Sequence, residues 1–468
     1  MFSVIGIDIG TSTLAAALLD TQSCKSLAVQ TATNTATVDD VPNGHHEQDP
    51  IAILRLIEEL IDSLLEDAVT AGIELSTIRG VTVTGQMHGC LLLDAKEHAP
   101  VTNLVTWRDQ RASAAISSIN DARCARWGCR LQPGYGLGTL AHFLNNDRNL
   151  ERCADGGAII ACGITDFVAA RLCGALLTDT TMAASWGGFD VASKTWDASA
   201  MIDYGIPNDV LPDIVPPGSP LNPLTPEYAR RWGLAETVQV CAGLGDNQAS
   251  ILAGGTLKHG TCVVNIGTGG QVSIVRRGYD YRRGLETRPL IGDYYAYVGS
   301  SLCGGWAYAY VAEFLSAAAR SMTNTELSRD EVLECMNRMG QDAPSHADGL
   351  VVEPSFLGSR ESGRRYGSIR HIDAQNFTPG NLIRATANGI VDELYEHHQS
   401  VGLPVTELRA AGNAVRKVAF VQHAIADRWG MRPTLTAQRE EAARGAALLA
   451  ASELGLVAHG SLFDNDET

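Results

Sequence analysis

The chain opens on an extended apolar run, Val4-Ile5-Gly6-Ile7-Asp8-Ile9, in which Asp8 is the single charged position. Gly10-Thr11-Ser12-Thr13 then supplies a turn and residues 14–19 a second apolar run. The pattern predicts a β-hairpin, with a third strand over 26–33. From Pro50 the period changes: Ile51, Ile53, Leu54, Ile57, Leu60, Ile61, Leu64 and Leu65 recur at helical spacing and predict an amphipathic helix over 50–71. Residues 78–84 and 90–94 read as strands on either side of a polar break, Gly85-Gln86-Met87-His88-Gly89. Strands alternating with helices place the chain in the α/β class.

The opening pattern returns in mid-chain as a run over 261–266, a turn Gly267-Thr268-Gly269-Gly270 and a run over 271–275. Ile266-Gly267-Thr268 echoes Ile9-Gly10-Thr11. Two such hairpins, each opening about half of the chain, predict two lobes of related design that each offer a backbone loop to one ligand. The boundary falls at Ala253-Gly254-Gly255, after a short helix from Asn247, which divides the chain into lobes 1–253 and 254–460. Helical periodicity over 306–320, 379–400, 415–429 and 440–454 dominates the second lobe, and 461–468 reads as a flexible acidic tail.

Composition narrows the class. At 468 residues and 45% hydrophobic, the chain can bury cores for two or three domains. Its 53 Asp+Glu against 36 Lys+Arg give a net charge of −17, which argues against a dedicated nucleic-acid binder, because a phosphate backbone is repelled overall. ATP stays admissible, since backbone amides and a metal can hold a triphosphate locally. No apolar run approaches the roughly 20 residues of a membrane span. No basic segment precedes the first apolar run, which Asp8 interrupts, so neither a membrane segment nor a signal peptide is expected. The 11 cysteines form no Cys-x-x-Cys pair and sit mostly in apolar segments, as expected of free thiols in a reducing cytoplasm.

No GxxxxGK[ST], HExxH, GxSxG or HRD pattern occurs, and Gly134-Tyr135-Gly136-Leu137-Gly138 misplaces the third glycine of a dinucleotide fingerprint. Four groups of residues carry chemistry instead. In Asp8-Ile9-Gly10-Thr11-Ser12-Thr13, amides and hydroxyls can cup phosphate oxygens and Asp8 can hold a hydrated Mg²⁺, although a plain turn has the same composition. Asp246, in Gly245-Asp246-Asn247-Gln248, stands where a strand meets a helix; it can take a proton from a hydroxyl that attacks a phosphate, or simply cap that helix. Gln86, His88, Trp107 and Asp109 offer amide, imidazole, indole and carboxylate groups suited to a polyhydroxylated ligand, with an Asp109–Arg111 ion pair as the structural alternative. Gly412-Asn413 ends a small-residue strand and opens a helix, a place for a nucleotide or an ordinary turn. Asp179-Thr180-Thr181 and Ala184-Ser185-Trp186 read equally as loop or as site wall.

Taken in order, Asp8-Ile9-Gly10-Thr11-Ser12, Gly85-Gln86-Met87-His88-Gly89, Trp107…Asp109…Arg111, Thr178-Asp179, Ala184-Ser185, Gly245-Asp246-Asn247-Gln248-Ala249, Asn265-Ile266-Gly267-Thr268-Gly269, Gly412-Asn413 and Gly445-Ala446-Ala447 resemble the FGGY family of carbohydrate kinases over residues 3 to about 455. The resemblance implies a two-lobed actin-like (ribonuclease H-like) ATPase fold closing on ATP, Mg²⁺ and a sugar in the cleft between the lobes. It implies Asp246 as catalytic base and Asp8 as the metal-linked carboxylate. Gly10, Thr11, Ser12 and Thr13 would form one phosphate loop, Gly267, Thr268 and Gly269 the other, and Gly412 and Asn413 would lie at the adenosine site. Gln86, His88, Trp107, Asp109 and Asn247 are the sugar-site candidates. Within the family, Leu104-Val105-Thr106-Trp107, Ala184-Ser185-Trp186-Gly187 and Leu211-Pro212-Asp213-Ile214 look most like the members that act on sedoheptulose, while Gln86-Met87-His88-Gly89 looks equally like those that act on xylulose. The chain departs from the family at Gly358-Ser359-Arg360, Ala410-Ala411-Gly412 and Ser301-Leu302-Cys303, which bears on nucleotide preference. The expectation is a cytoplasmic ATP-dependent ketose kinase, with a homodimer left open. A pentulose kinase and an actin-fold ATPase switch without a sugar substrate are the alternatives.

Overall fold

The computed structural model describes residues 2–116, 121–324, 326–358, 366–436, 440–458 and 462. Two six-stranded sheets form its framework. In the first, β1 (Ser3–Ile9), β2 (Thr13–Asp20) and β3 (Ser26–Thr33) form an antiparallel meander. β4 (Ile78–Gly85) runs parallel to β1 on its other side. β5 (Pro220–Pro223) closes that edge antiparallel to β6 (Gln239–Gly245), which itself runs parallel to β4. The order is β5-β6-β4-β1-β2-β3. Helix α1 (Pro50–Thr70) starts where Asp49 accepts from the amides of Ile51 and Ala52, with Pro50 in its first turn, and it lays Ile53, Ile57, Ile61 and Leu64 on the sheet without exposure.

The second sheet repeats the plan. β7 (Thr261–Ile266) pairs antiparallel with β8 (Gly270–Arg277), and β9 (Glu286–Pro289) pairs antiparallel with β10 (Tyr294–Ser301), which lies beside β8. β11 (Glu407–Ala411) and β12 (Thr434–Leu435) run parallel on the far side of β7. The order is β9-β10-β8-β7-β11-β12, so β7, β8, β10, β11 and β12 occupy the places of β1, β2, β3, β4 and β6. The echo between the two turns is thus a repeat of topology, with each Gly-Thr loop at the same end of a central hairpin.

Each sheet has its own apolar core, and a third core joins them. Its axis is two small-residue helices, α2 (Asp246–Ala253) and, at the end of the chain, Glu441–Glu453. A side chain at Gly445 would place its first carbon 1.8 Å from the carbonyl oxygen of Ala249, so the crossing of these helices needs glycine there. Ala442, Ala443, Ala446, Ala447, Ala450 and Ala451 are all buried along the same helix as Gly445, with Ala443 packed on Ala15 and Ala17 of β2.

The expected helix over 415–429 is two helices, Asn413–Lys417 and Ala419–Trp429, broken at Val418 in an extended conformation. Val415, Val418, Val421 and Ile425 are all buried at helical spacing, which is why the periodicity runs through the break. Of the expected tail, residues 461 and 463–468 lie outside the described residues, as do Ser359 and Arg360. Leu462 is buried in the third core, and its carbonyl accepts from the amide of Leu257. Among the described residues no helix is long and apolar enough to cross a membrane.

Candidate active site

The turn between β1 and β2 is closed by the Gly10 amide, which donates to the Thr13 carbonyl at 3.0 Å, and braced by Asn34, whose side-chain amide donates to the Gly10 carbonyl at 2.9 Å. Ser12 and Thr13 are exposed. The Thr11 side chain turns the other way. Its hydroxyl donates to Gln86 Oε1 at 3.0 Å and accepts from Trp107 Nε1 at 3.0 Å, while Gln48 Nε2 donates to the Thr11 carbonyl at 2.9 Å and Gln48 Oε1 accepts from Gln86 Nε2 at 2.8 Å. Thr11 therefore joins the first loop to the polar wall formed by Gln86 and Trp107. Gln48, fully buried at the centre of this network, was not foreseen; its sequence signal is a polar run, Glu47-Gln48-Asp49, just before the α1 proline.

His88 has a positive φ of 76°, a conformation that a residue with a side chain holds only against strain. Ser185 holds it there: the hydroxyl accepts from the His88 amide at 2.9 Å, and the carbonyl is 2.6 Å from Nδ1. That contact makes Nδ1 the protonated ring nitrogen and Nε2 the acceptor in the neutral ring. The ring stacks on Tyr135 with centroids 4.0 Å apart. Ser185 and Tyr135, both ambiguous or discounted in the sequence, thus become wall residues.

Asp109 is present but differently employed. Its carboxylate has no exposure, accepts from Arg111 Nε and Nη2 at 2.9 Å each, and accepts from the amides of Arg111 and His46 at 2.8 and 2.7 Å. Burial acts to raise its carboxyl, but those bonds and the Arg111 charge together outweigh it and hold the group below the usual carboxylate range. Arg111 also bonds Glu47 at 2.5 Å. With both oxygens consumed, Asp109 shapes the loop that carries Trp107.

Asp246 is the first residue of α2, at the end of β6. Enclosure pushes its carboxyl above the ordinary value; the charge of Arg288 and the Asn247 amide, which donates to Asp246 Oδ1 at 2.7 Å, pull the other way. The preceding residue is pinned from behind. The Gly245 amide donates to Thr181 Oγ1 at 2.8 Å, and Thr181 Oγ1 donates to Asp179 Oδ1 at 2.5 Å. Asn247 crosses to the second lobe, where its side-chain amide donates to Gln271 Oε1 at 2.9 Å and Ser273 Oγ at 3.1 Å.

Asp8 ends β1, and its Oδ1 is buried without a hydrogen-bond partner. Burial first, then the negative charges of Asp246 and Glu440, raise its carboxyl well above the usual range. An orphaned carboxylate oxygen amid like charge is a place a cation would stabilise. Among the described residues no group of three or more His, Cys, Asp or Glu side chains could hold a metal alone. One carboxylate completed by phosphates and water is the usual way that Mg²⁺ binds, so the residues fit that ion.

In the second lobe, Gly267, Thr268 and Gly269 are exposed, and the carbonyls of Gly267 and Thr268 accept from the amides of Gly305 and Trp306 at 2.8 and 2.9 Å. Gly412 (φ 94°) packs against the end of β7 so closely that a first side-chain carbon would lie 2.4 Å from the Ile266 carbonyl oxygen. Asn413 is exposed beside it. The structure therefore brings the Gly267-Thr268-Gly269 loop and Gly412-Asn413 together, and separately brings Asp8, Asp246, Gln86, His88 and Trp107 to the end of the first sheet.

The chain belongs to the FGGY family of carbohydrate kinases: residues 3–253 match the family's N-terminal domain and residues 263–454 its C-terminal domain. It is a sugar kinase, a phosphotransferase on the two-lobed actin-like ATPase fold. It is similar to the sedoheptulokinase of Mus musculus, 28% identical over 95% of this chain and 96% of that one. It is also similar to the xylulose kinase of Haemophilus influenzae, 26% identical over 95% and 90% of the two chains. Among solved structures, the ligand-bound xylulose kinase of Lactobacillus acidophilus superposes with a TM-score of 0.85 at 22% identity, covering 98% and 90% of the two chains.

Proposed function

We propose that the protein transfers the γ-phosphate of ATP to the terminal hydroxyl of a ketose, most closely sedoheptulose, giving sedoheptulose 7-phosphate. The observation that carries this reading is that Asp246, whose charge acts on the orphaned carboxylate of Asp8, follows Gly245 at the strand end paired with Gly85, the residue before Gln86. The likeness to sedoheptulokinase over almost the whole of both chains supports the substrate.

In this reading Trp107 offers its indole face and Gln86 and His88 their polar atoms to the sugar, with His88 Nε2 accepting from a hydroxyl. Asp246 takes the proton of the attacking hydroxyl. Its elevated affinity for a proton suits that task better than an ordinary surface carboxylate. Asp179 and Thr181, through the Gly245 amide, fix the base's backbone. Asp109 positions Trp107 without touching the sugar. The amides of 10–13 and 267–269 receive phosphate oxygens, and Gly412 and Asn413 line the adenosine site. Asp8 would hold Mg²⁺, which supplies charge neutralisation at the bridging phosphate oxygen. Seating the sugar between lobes 1–253 and 254–460 excludes the water that would otherwise hydrolyse ATP. The free state of all 11 cysteines fits a cytoplasmic setting.

The test is ADP release with ATP and Mg²⁺ against sedoheptulose, D-xylulose, L-ribulose, D-fructose and glycerol. Preference for sedoheptulose is expected. Preference for a five-carbon ketose would keep the mechanism and replace the substrate, and ADP release indifferent to every sugar would favour an ATPase switch.

A further inference from the structure

The polar wall of Gln86, His88 and Trp107 belongs to the first lobe, yet a charged side chain of the second lobe comes near enough to the base for their charges to interact. Arg288, on β9, has a side chain only 8% exposed. Its Nε and Nη2 lie 2.8 and 2.6 Å from Glu286 Oε2, and its Nη1 lies 3.6 Å from Met87 Sδ. Met87 Sδ in turn packs on Gly245, the residue before the base: a first side-chain carbon there would stand 2.7 Å from the sulfur. That carbon would also stand 2.5 Å from Gln248 Oε1. Gln248 Nε2 donates to the carbonyl of Pro289, next to Arg288, at 3.4 Å.

Two features mark this corner as built for a ligand. A guanidinium carries more N–H groups than these three contacts consume, and this one is buried within range of the charge of Asp246. Gln248 is 1% exposed, and its Oε1 has no hydrogen-bond partner; Asn247 Oδ1, close by, has none either. Unmet donors and unmet acceptors side by side are the complement of a hydroxyl, which both accepts and donates. Glu286 balances the arginine's charge and is itself bonded by the Tyr135 hydroxyl, whose ring stacks on His88. The corner is therefore matched to a neutral polyol in preference to a carboxylate.

We propose that Arg288, with Gln248, is a specificity-determining hydroxyl-binding pair supplied in part by the second lobe, reading a hydroxyl of the ketose near the one that is phosphorylated. The proposal rests on the ketose-kinase reading above and adds that the sugar pocket is complete only when both lobes contribute. Sugar seated against the first lobe then gains contacts as β9 docks, which ties sugar recognition to the arrangement of the lobes.

The test measures sedoheptulose binding by calorimetry in the presence of a non-hydrolysable ATP analogue, together with kcat and KM for sugar and ATP. The proteins are the wild type, Arg288→Met, Arg288→Lys and the charge-balanced double variant Glu286→Gln/Arg288→Met. The double variant guards against misfolding from an unpaired buried carboxylate, and a melting curve confirms that it is folded. Sugar Kd and KM are expected to rise on the order of 10–100-fold in Arg288→Met and in the double variant, with partial rescue by lysine and an unaltered ATP KM. A folded double variant with wild-type sugar affinity would overturn the inference while leaving the kinase reading intact. Tighter binding of an aldonate such as gluconate than of the ketose would overturn its neutral-polyol part. A wild type that binds no sugar would overturn both readings.

Discussion

Thr11 and Gln86, which follow the neighbouring parallel strands β1 and β4 at the same end of the first sheet, share a hydrogen bond of 3.0 Å between hydroxyl and amide oxygen. It makes the first phosphate-loop candidate and the polar wall one unit, since the same hydroxyl accepts from Trp107. Thr11→Val keeps the shape of the side chain but removes the hydroxyl bonded to Gln86 Oε1 and Trp107 Nε1. The expected loss is on the order of tenfold in kcat/KM for sugar, from the two hydrogen bonds removed. Thr11→Ser should restore it. Equal kcat/KM in the wild type and the valine variant would show that the bond does not organise the wall.

Gly412 tests the nucleotide side. Its φ of 94° and the 2.4 Å approach to the Ile266 carbonyl oxygen leave no room for a methyl group. Gly412→Ala should cost about 1–3 kcal/mol through backbone strain and displacement. ATP KM should rise while sugar affinity, measured by calorimetry, stays at the wild-type value. The opposite split would move Gly412 out of the adenosine site.

Asp166 and Asp179 lie buried near each other, and burial, with their mutual repulsion acting on Asp166, pushes both carboxyls up from 3.8 to about 7. In that range the folded protein keeps protons which the unfolded chain has released, so their ionisation opposes folding. Stability from these two groups is fully present below pH 3.8 and declines as pH rises toward about 7. In Asp166→Asn/Asp179→Asn, melting curves taken from pH 4 to pH 8 should show less decline with rising pH than the wild type shows. Parallel curves would mean that the pair is ionised throughout.

Much of the fold was legible because burial imposes a period. The hairpins and α1 follow directly from alternating and helical apolar spacing, and the repeated Gly-Thr turn anticipates the repeated sheet topology. Contacts between distant segments left no such trace. Arg288 sits in an unremarkable strand, Glu286-Thr287-Arg288-Pro289, and its meaning comes only from Met87 on the other lobe. Gln48 matters through Thr11 and Gln86. Asp109 shows the converse: the sequence pointed to it as a sugar ligand and also offered the ion pair, and in the structure its oxygens are consumed by Arg111 and His46.

The central claim is that Asp246 accepts the proton of the sugar hydroxyl as phosphate is transferred. Asp246→Asn conserves shape and keeps an oxygen for the Asn247 amide, so fold and sugar binding should persist. The most direct measurement is single-turnover formation of sugar phosphate from ATP, Mg²⁺ and sedoheptulose in this variant beside the wild type. The account predicts a rate lower by on the order of 10²–10⁴ at unchanged sugar affinity. A variant that turns over at the wild-type rate would contradict it.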